Sequence, residues 1–171
     1  MNDSDQQAQF ERLVMPHLDA AYNLARWLAG NDHDAEDIAQ EACVRAFRFV
    51  GGCRGSDGRA WLLAIVRNTA YSWLKKNRSH GLVFIDDDEF GELEDPRGGA
   101  NSFHSADTDA LRAALEALPV EFREVLVLRE LEGLSYKEIA DVAEVPVGTV
   151  KSRLARARRQ LQGALAQKER V

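Results

Sequence analysis

Cysteine is scarce in this sequence, and the little there is forms no recognisable site. The 171 residues include two cysteines, Cys43 and Cys53, and neither belongs to a Cys-x-x-Cys pair. This excludes a disulfide framework. Cys43 lies on an apolar helical stripe and is predicted to be a small core residue, whereas Cys53 is interpreted as an inert loop thiol. The histidines lack the spacing of metal ligands, so we expect no metal and no other cofactor.

Long apolar runs are missing as well. No segment of about 20 apolar residues and no signal-peptide pattern is present, so we expect a soluble, cytoplasmic protein. Nor is there a nucleophile–base constellation or a phosphate-binding loop, and an enzyme is therefore not expected. What is abundant is helical periodicity. Hydrophobic residues make up 45% of the sequence, which is enough for a packed core, and almost no strand pattern occurs. The predicted fold class is all-α.

Charge is distributed unevenly along the chain. The formal net charge of −6 argues against indiscriminate binding to nucleic acid. Residues 151–171 are nevertheless rich in lysine and arginine, with Glu169 as the only acid, whereas residues 86–95 are dominated by aspartate and glutamate. Such separation indicates two kinds of partner surface.

The N-terminal half predicts a series of helices. An apolar stripe from Phe10 to Leu28 ends near Gly30, and Pro16 should kink or split that helix. A second helix begins around Asp34 and has a polar face of mixed charge. A glycine-rich loop then leads into a third helix, at about residues 59–76.

The third helix is both aromatic and basic. Amide, hydroxyl and aromatic groups beside cations can hold unpaired bases, because the rings stack and the cations neutralise phosphates. Trp61 and Trp73 fall at helical spacing and are more typical of a core than of a base platform. For Asn68 and Tyr71 both interpretations remain open.

Residues 79–107 lose all periodicity and are rich in glycine, serine and acids. The segment is too long for an ordinary loop in a compact domain and is predicted to be a linker between two small domains. Its acidic run is either a solubilising tether or a mimic of the phosphate backbone.

Residues 134–161 predict two short helices joined by a tight turn. Ser135 and Glu138 have the spacing of a capping box, and Pro146 disfavours helical geometry in the residue before it. The second helix has one apolar stripe, and its opposite face is assigned Lys151, Ser152, Ala155, Arg156 and Arg159, with Arg153 and Arg158 at the flanks. Gly148 and Thr149 at its start allow close approach to a phosphate. DNA contact is favoured over a plain solvated surface helix.

Four segments occur together in an order that resembles a known family. They are residues 34–42 (DAEDIAQEA), 59–70 (RAWLLAIVRNTA), 118–129 (LPVEFREVLVLR) and 146–154 (PVGTVKSRL). The chain resembles the extracytoplasmic-function (group IV) sigma factors of bacterial RNA polymerase over essentially its whole length. The resemblance implies a region 2 domain at 1–78, a linker at 79–107 that is threaded toward the active-site channel, and a region 4 domain at 108–171.

The resemblance also implies partners and roles. The region 2 domain would dock on the clamp helices of the polymerase β′ subunit and open the −10 element, and the region 4 domain would read the −35 duplex and meet the β flap. Control by an anti-sigma factor, often membrane-bound, is implied too. The polymerase surface would be formed by Asp37, Gln40, Glu41, Arg45 and Arg48. The −10 contacts would be Arg67, Asn68, Tyr71, Ser72, Lys75 and Lys76, with Asn68 helping to capture a flipped base. The −35 contacts would be Gly148, Thr149, Lys151, Ser152, Arg153, Ala155, Arg156 and Arg159.

One departure and one alternative remain. Glu144 stands where many relatives carry glycine at the end of the first helix of the helix-turn-helix, which puts that cap in question. The alternative function is an autonomous helix-turn-helix regulator with an unrelated helical sensor in front. Such a sensor would need a ligand cavity or a phosphoacceptor site in the N-terminal half.

Overall fold

A computed structural model describes residues 2–55, 57–77 and 108–169 of the chain. All regular secondary structure within these residues is helical, which confirms the predicted all-α class. The predicted acidic linker at 79–107 lies outside the described residues. None of the described helices is both long enough and apolar enough to cross a lipid bilayer.

The N-terminal domain is built from four α-helices. They are α1 (Asp3–Leu13), α2 (Leu18–Ala29), α3 (Asp32–Phe49) and α4 (Arg59–Lys76). A single 3-10 turn, Met15–His17, separates α1 from α2. The predicted interruption at Pro16 is thereby confirmed, because proline lacks an amide hydrogen and its ring clashes with the preceding turn of an α-helix.

The start of α3 differs from the prediction by one half-turn. Gly30 ends α2 in the left-handed conformation, with φ of 87°. The side chain of Asn31 then caps α3, since its Oδ1 accepts a hydrogen bond from the Asp34 amide at 2.9 Å. The helix therefore begins at Asp32, and an N-cap asparagine rather than the acidic first turn sets its boundary.

Packing of α2, α3 and α4 against one another forms the core of this domain. Its largest buried side chains include Leu24, Leu28, Ile38, Leu62 and Leu63. The entry into α4 requires glycine at one position. A Cβ atom on Gly58 would overlap the carbonyl oxygen of Leu13, so the loop before α4 can approach the end of α1 only without a side chain.

The C-terminal domain contains the predicted helix-turn-helix. Its helices are α5 (Thr108–Ala117), α6 (Val120–Leu126), α7 (Tyr136–Ala143) and α8 (Val147–Glu169), and a π-helical segment, Val127–Leu131, continues α6. Pro119 precedes α6 as predicted. The apolar stripe of α8 is buried through Val150, Leu154, Ala157 and Leu161.

Both caps of α7 are defined by side-chain and backbone geometry. The capping box is confirmed, because the Ser135 side chain accepts from the Glu138 amide and the Glu138 side chain accepts from the Ser135 amide. At the other end Glu144 adopts the left-handed conformation, with φ of 57°. A residue with a Cβ atom is strained there, so Glu144 performs a turn that glycine would make at lower cost.

The two domains pack directly against each other. α6 lies against α2, and α7 lies across α4. At this interface the Arg123 guanidinium is buried, and its Nη1 donates to the carbonyl oxygen of Trp27 at 2.6 Å. Arg26 of α2 also approaches Glu116 of α5, with 3.9 Å between Nη1 and Oε1. No pattern in the sequence predicted this docking.

Candidate nucleic-acid and polymerase surfaces

The outward face of α3 carries most of the residues assigned to polymerase. Asp37, Gln40, Glu41 and Arg48 are exposed. Arg45 is half-buried, and its guanidinium donates to Glu41 Oε1 at 2.7 Å and to Thr69 Oγ1 of α4 at 3.4 Å. Arg45 therefore turns from the outer face of α3 toward α4, whereas the other four side chains remain accessible.

Three large apolar side chains of α3 are exposed and were not predicted as site residues, and one of them, Phe49, lines the cavity described below. Val44 is 58% exposed, Phe47 40% and Phe49 59%. Phe47 makes an edge-to-face contact with Phe10, with 5.4 Å between ring centroids. The sequence could have indicated that Val44 belongs to the polar face, because Val44 follows Gln40 by four residues and residues i and i+4 share a helical face. An apolar patch bordered by charges is typical of a protein-binding surface.

A cavity of about 640 Å³ lies between the C-terminal end of α3 and the N-terminal half of α4. It is lined by Gln6, Arg45, Arg48, Phe49, Gly51, Gly52, Trp61, Ile65 and Asn68. Trp61 is half-buried, packing against the core while also lining the cavity. The two interpretations of this tryptophan, core residue and ring available to a base, are thus compatible.

The six residues of α4 assigned to the −10 element fall into separate environments. Asn68 is exposed at the cavity, and its Oδ1 accepts from Arg67 Nη1 at 3.3 Å. The side chains of Ser72, Lys75 and Lys76 are exposed toward the C-terminal end of α4. The remaining two, Arg67 and Tyr71, are half-buried and point at the C-terminal domain.

Arg67 and Tyr71 both bind the carboxylate of Glu124, a residue of α6 that sequence reasoning did not single out. Arg67 Nε donates to Oε1 at 2.6 Å, and the Tyr71 hydroxyl donates to Oε2 at 2.8 Å. The Arg67 guanidinium also lies 4.0 Å from the centroid of the Tyr71 ring. Glu124 is fully buried at 0% exposure. The sequence held only a weak indication that Glu124 binds these residues, since a glutamate within an apolar helix can have several explanations.

Burial dominates the electrostatics of this cluster. It raises the pKa of Glu124, an effect that the positive charge of Arg67 opposes. Burial likewise raises the pKa of the Tyr71 hydroxyl well above its ordinary value, and the nearby Glu124 charge adds to the increase. Tyr71 therefore stays protonated at neutral pH and donates a hydrogen bond to Glu124. The cluster is a buried carboxyl group held by a cation and a phenol.

The second helix of the helix-turn-helix, α8, requires two corrections to its predicted outer face. Lys151, Arg159 and Gly148 are exposed as expected, and Thr149, Ser152 and Arg156 are half-buried. Arg153 is only 7% exposed and Ala155 only 1%, so their predicted exposure is wrong. The helix α8 packs against α5, α6 and α7, which makes its buried side wider than the single stripe read from the sequence.

The flank of α8 and the cysteines add little reactive chemistry. Arg158 donates to Glu130 Oε1 at 2.9 Å. Burial raises the pKa of both cysteine thiols, which supports inert roles for Cys43 and Cys53 because the reactive form is the thiolate. Within the described ranges, no group of three or more metal-ligating side chains occurs.

Both domains match known protein families. The family described as "Sigma-70 region 2" matches residues 13–80, and "Sigma-70, region 4" matches residues 108–161. The first matched segment contains most of the residues that line the α3–α4 cavity, and the second contains the helix-turn-helix. The residues in front of the helix-turn-helix therefore match a sigma-70 region and not an unrelated sensor, which argues against a two-part regulator of that kind.

Individual relatives agree with the family matches. The ECF RNA polymerase sigma factor SigE of Mycolicibacterium smegmatis is 38% identical over 159 residues, a stretch that is 92% of this chain and 62% of that protein. The RNA polymerase sigma-H factor of Pseudomonas aeruginosa is 34% identical over 165 residues, covering 91% of this chain and 86% of that protein. This chain thus spans under two thirds of SigE but most of sigma-H.

A solved structure has a similar fold. The sigma factor RpoE of Bartonella quintana, in complex with the anti-sigma factor NepR, is 30% identical, with a TM-score of 0.68. The alignment covers 90% of this chain and 94% of that one. The chain belongs to the extracytoplasmic-function sigma factors of the sigma-70 family, a class of transcription specificity subunits.

Proposed function

We propose that this chain binds core RNA polymerase and directs initiation at promoters by reading a −35 duplex and a −10 single strand. The observation that carries this proposal is the cavity between α3 and α4, which is lined mostly by residues of the segment matched to region 2 and has Asn68 and Trp61 in its wall. In this role the chain supplies specificity to an enzyme and is not itself one. Since polymerase acts in the bacterial cytoplasm, we propose that location as well.

The cavity has the groups needed to hold one extruded base. Its volume of about 640 Å³ is in the range of small-ligand sites. Trp61 offers a ring for stacking, and the Asn68 amide has both a donor and an acceptor for the edge of a base. Arg45 and Arg48 line the same cavity, and their charges favour the phosphates on either side of the base. Extruding a base costs a few kcal/mol, which these contacts would offset.

Exposed side chains of α4 would guide the strand that leaves the cavity. Ser72, Lys75 and Lys76 continue from Asn68 at spacings of about one and two helical turns. Cations along a helix bind the backbone of a single strand without selecting a sequence. Arg67 and Tyr71 lie on the adjoining side of α4 and would join this path once the C-terminal domain moves away.

We further propose that α8 reads the −35 element through its N-terminal half. Lys151, Ser152 and Arg156 would face bases, with Arg159 on a phosphate, and the helix start at Gly148 and Thr149 would approach the backbone. Arg153 and Ala155 would contribute only in an arrangement that uncovers them. The same domain would meet the β flap of the polymerase.

Two protein partners complete the proposal. The outer face of α3, with Asp37, Gln40, Glu41 and Arg48 around Val44, would dock on the β′ clamp helices. The likeness to RpoE of Bartonella quintana, which is seen with the anti-sigma factor NepR, supports control of this chain by an anti-sigma factor as well.

Run-off transcription with core polymerase tests the function. Genomic fragments, beginning with the promoter of the chain's own gene, serve as templates, and core polymerase alone is the control. We expect promoter-specific transcripts only when this chain is added, and weak binding of promoter duplex by the chain alone. Tight, site-specific duplex binding without stimulation of core polymerase would instead identify an autonomous regulator.

A further inference from the structure

Part of the cavity wall comes from outside the segment that matches the family. Gln6 of α1 lines the cavity, whereas the match to region 2 begins at residue 13. The helix α1 packs against α3 and against the 3-10 turn Val50–Gly52 that follows α3. Gln6 therefore borders the cavity on the α3 side, and Trp61, Ile65 and Asn68 border it on the α4 side. The matched segments give no role to this glutamine.

Two contacts hold the side chain of Gln6 and the helix that carries it. Gln6 Nε2 donates to the backbone carbonyl oxygen of Phe47, near the C-terminal end of α3, at 2.7 Å. One turn further along α1, the ring of Phe10 packs edge to face on the ring of Phe47, with 5.4 Å between centroids. A side chain that is fixed before binding loses little conformational freedom when it contacts a ligand. Gln6 is thus preorganised in the cavity wall.

The bond to Phe47 leaves the amide oxygen of Gln6 available as an acceptor. Nε2 faces the Phe47 carbonyl, and Oε1, on the other arm of the amide, accepts no hydrogen bond from any residue in the described ranges. Asn68 has the reverse arrangement. Its Oδ1 accepts from Arg67 Nη1 at 3.3 Å, which leaves the Nδ2 donor available. The cavity therefore offers one acceptor from the α3 side and one donor from the α4 side.

These two groups do not suit the four bases equally. An exocyclic group projects further from the ring than a ring nitrogen, so a side chain on the facing wall meets it first. Adenine carries an amine at C6 and cytosine at C4, where guanine and thymine carry a carbonyl oxygen. The amine would donate to Gln6 Oε1, while the neighbouring ring nitrogen accepts from Asn68 Nδ2. A carbonyl oxygen would face Oε1 with no hydrogen between them, which leaves two desolvated acceptors unsatisfied.

We propose that Gln6 is a base-specificity residue of the cavity, whose Oε1 accepts a hydrogen bond from the exocyclic amine of an extruded adenine or cytosine and disfavours guanine and thymine. This rests on the proposed function, since it requires that the cavity hold an extruded base. It adds a residue of α1 to a reading surface otherwise assigned to α4. Promoters used by this chain should then carry adenine or cytosine at one position of the −10 element.

Transcription from promoters with a randomised −10 element tests this role. Core polymerase with wild type, Gln6→Met or Gln7→Met initiates on a library in which a transcribed barcode identifies each −10 sequence. Methionine keeps the length and flexibility of glutamine, but its sulfur is only a weak acceptor. Gln7 is the matched control, because it lies on the same helix, donates to Glu11 Oε1 at 3.1 Å and does not line the cavity.

We expect a change in base preference at a single position. Wild type and Gln7→Met should prefer adenine or cytosine there by about fivefold or more, the effect of one hydrogen bond. Gln6→Met should lose this preference and keep the wild-type preferences at the other positions. The reason is that only one base of the −10 strand occupies the cavity.

A change to the base alone separates this hydrogen bond from an effect on the packing of α1. In the preferred −10 strand, adenine is replaced by purine, or cytosine by 2-pyrimidinone, each of which lacks only the exocyclic amine. Binding of the fluorescent single strand to holoenzyme is then measured with and without the replacement. Wild-type holoenzyme should lose about fivefold or more in affinity. Holoenzyme with Gln6→Met should bind both strands equally.

The outcomes separate the role of Gln6 from the function of the chain. Promoter-specific transcripts from wild type, with the same base preferences in Gln6→Met or a uniform loss across all sequences, would refute the role of Gln6 and leave the proposed function intact. An equal change in Gln7→Met would also refute it, because the effect would then belong to α1 as a whole. Absence of promoter-specific transcripts from wild type would overturn the proposed function, and the role of Gln6 with it.

Discussion

Arg67 of α4 and Glu124 of α6 lie 57 residues apart in the chain and form a buried ion pair, with 2.6 Å between Nε and Oε1. The pair joins the two domains that the family matches define. Its position on the −10-assigned side of α4 couples the arrangement of the domains to the exposure of that helix. The pH dependence of domain docking should follow from this coupling, whereas promoter opening and polymerase binding should depend on residues of α3 and α4 beside it.

Domain docking should depend on pH in a defined direction. Burial raises the pKa of Glu124 in the docked form, and Arg67, Tyr71 and Arg153 are the groups around it. Because the pKa of Glu124 is higher in the docked form, protonation of this carboxyl group stabilises docking. The stabilisation is complete below the ordinary pKa of glutamate and is lost as the pH rises through the raised pKa. Small-angle X-ray scattering between about pH 5 and pH 8 should show expansion at the higher pH. Equal pH dependence in wild type and Glu124→Gln would assign the effect to other groups.

Removal of the Asn68 amide should impair promoter opening more than polymerase binding. Loss of a base contact is worth about 1–3 kcal/mol, so Asn68→Ala should lower run-off transcription by roughly 5- to 150-fold. The control is Asn23→Ala, an exposed asparagine on α2 that does not line the cavity. A parallel assay of binding to core polymerase should give wild-type affinity. Reduced core binding by Asn68→Ala would place this residue on the polymerase surface instead.

A charge at Val44 should weaken binding of core polymerase. Val44 is 58% exposed within the charged face of α3, and a carboxylate buried there in a complex would lack a partner. We expect Val44→Asp to lower affinity by about tenfold or more. Asn23→Asp adds the same charge at an exposed site on α2 and should have no effect. Unchanged affinity for Val44→Asp would exclude this part of α3 from the interface.

Substitutions in α8 should distinguish base contacts from phosphate contacts. Arg156→Ala should weaken −35-dependent transcription, and Lys151→Ala should change which bases are preferred. Loss of a phosphate contact would instead weaken binding to all sequences equally and lower the salt dependence of DNA binding by about one. Lys137→Ala, on the exposed side of α7, is the control. A uniform loss across all −35 variants would make Lys151 a phosphate contact.

Glycine at position 144 should stabilise the C-terminal domain. Glu144 has φ of 57°, and relief of this left-handed strain should raise the free energy of unfolding by about 1 kcal/mol. Asp141→Gly, at an exposed position inside α7, should instead lower it by about 0.5 kcal/mol, because glycine is a poor helix former. Denaturant unfolding monitored by circular dichroism measures both changes. Destabilisation by Glu144→Gly would indicate that the glutamate side chain makes a compensating contact.

Local structure was largely predictable from the sequence. Pro16, Pro119 and the Ser135–Glu138 capping box act within one or two turns, so their effects follow from covalent geometry and short-range hydrogen bonds. The start of α3 was misplaced because the Asn31 cap was not considered. The helical faces were predictable only in part. Phe47, expected on the apolar stripe of α3, is 40% exposed, and the exposure predicted for Arg153 and Ala155 was wrong because α8 packs against α5, α6 and α7.

The sequence by itself determined the helices, their caps and the family, since these depend on residue spacing and on motifs that lie close together in the chain. Only the tertiary structure decided where the side chains of α4 point. Asn68 borders a cavity formed with α3, while Arg67 and Tyr71 bind a carboxylate 57 and 53 residues further along the chain. Such pairing depends on how the two domains dock, and helical periodicity carries no information about a surface that a distant segment covers.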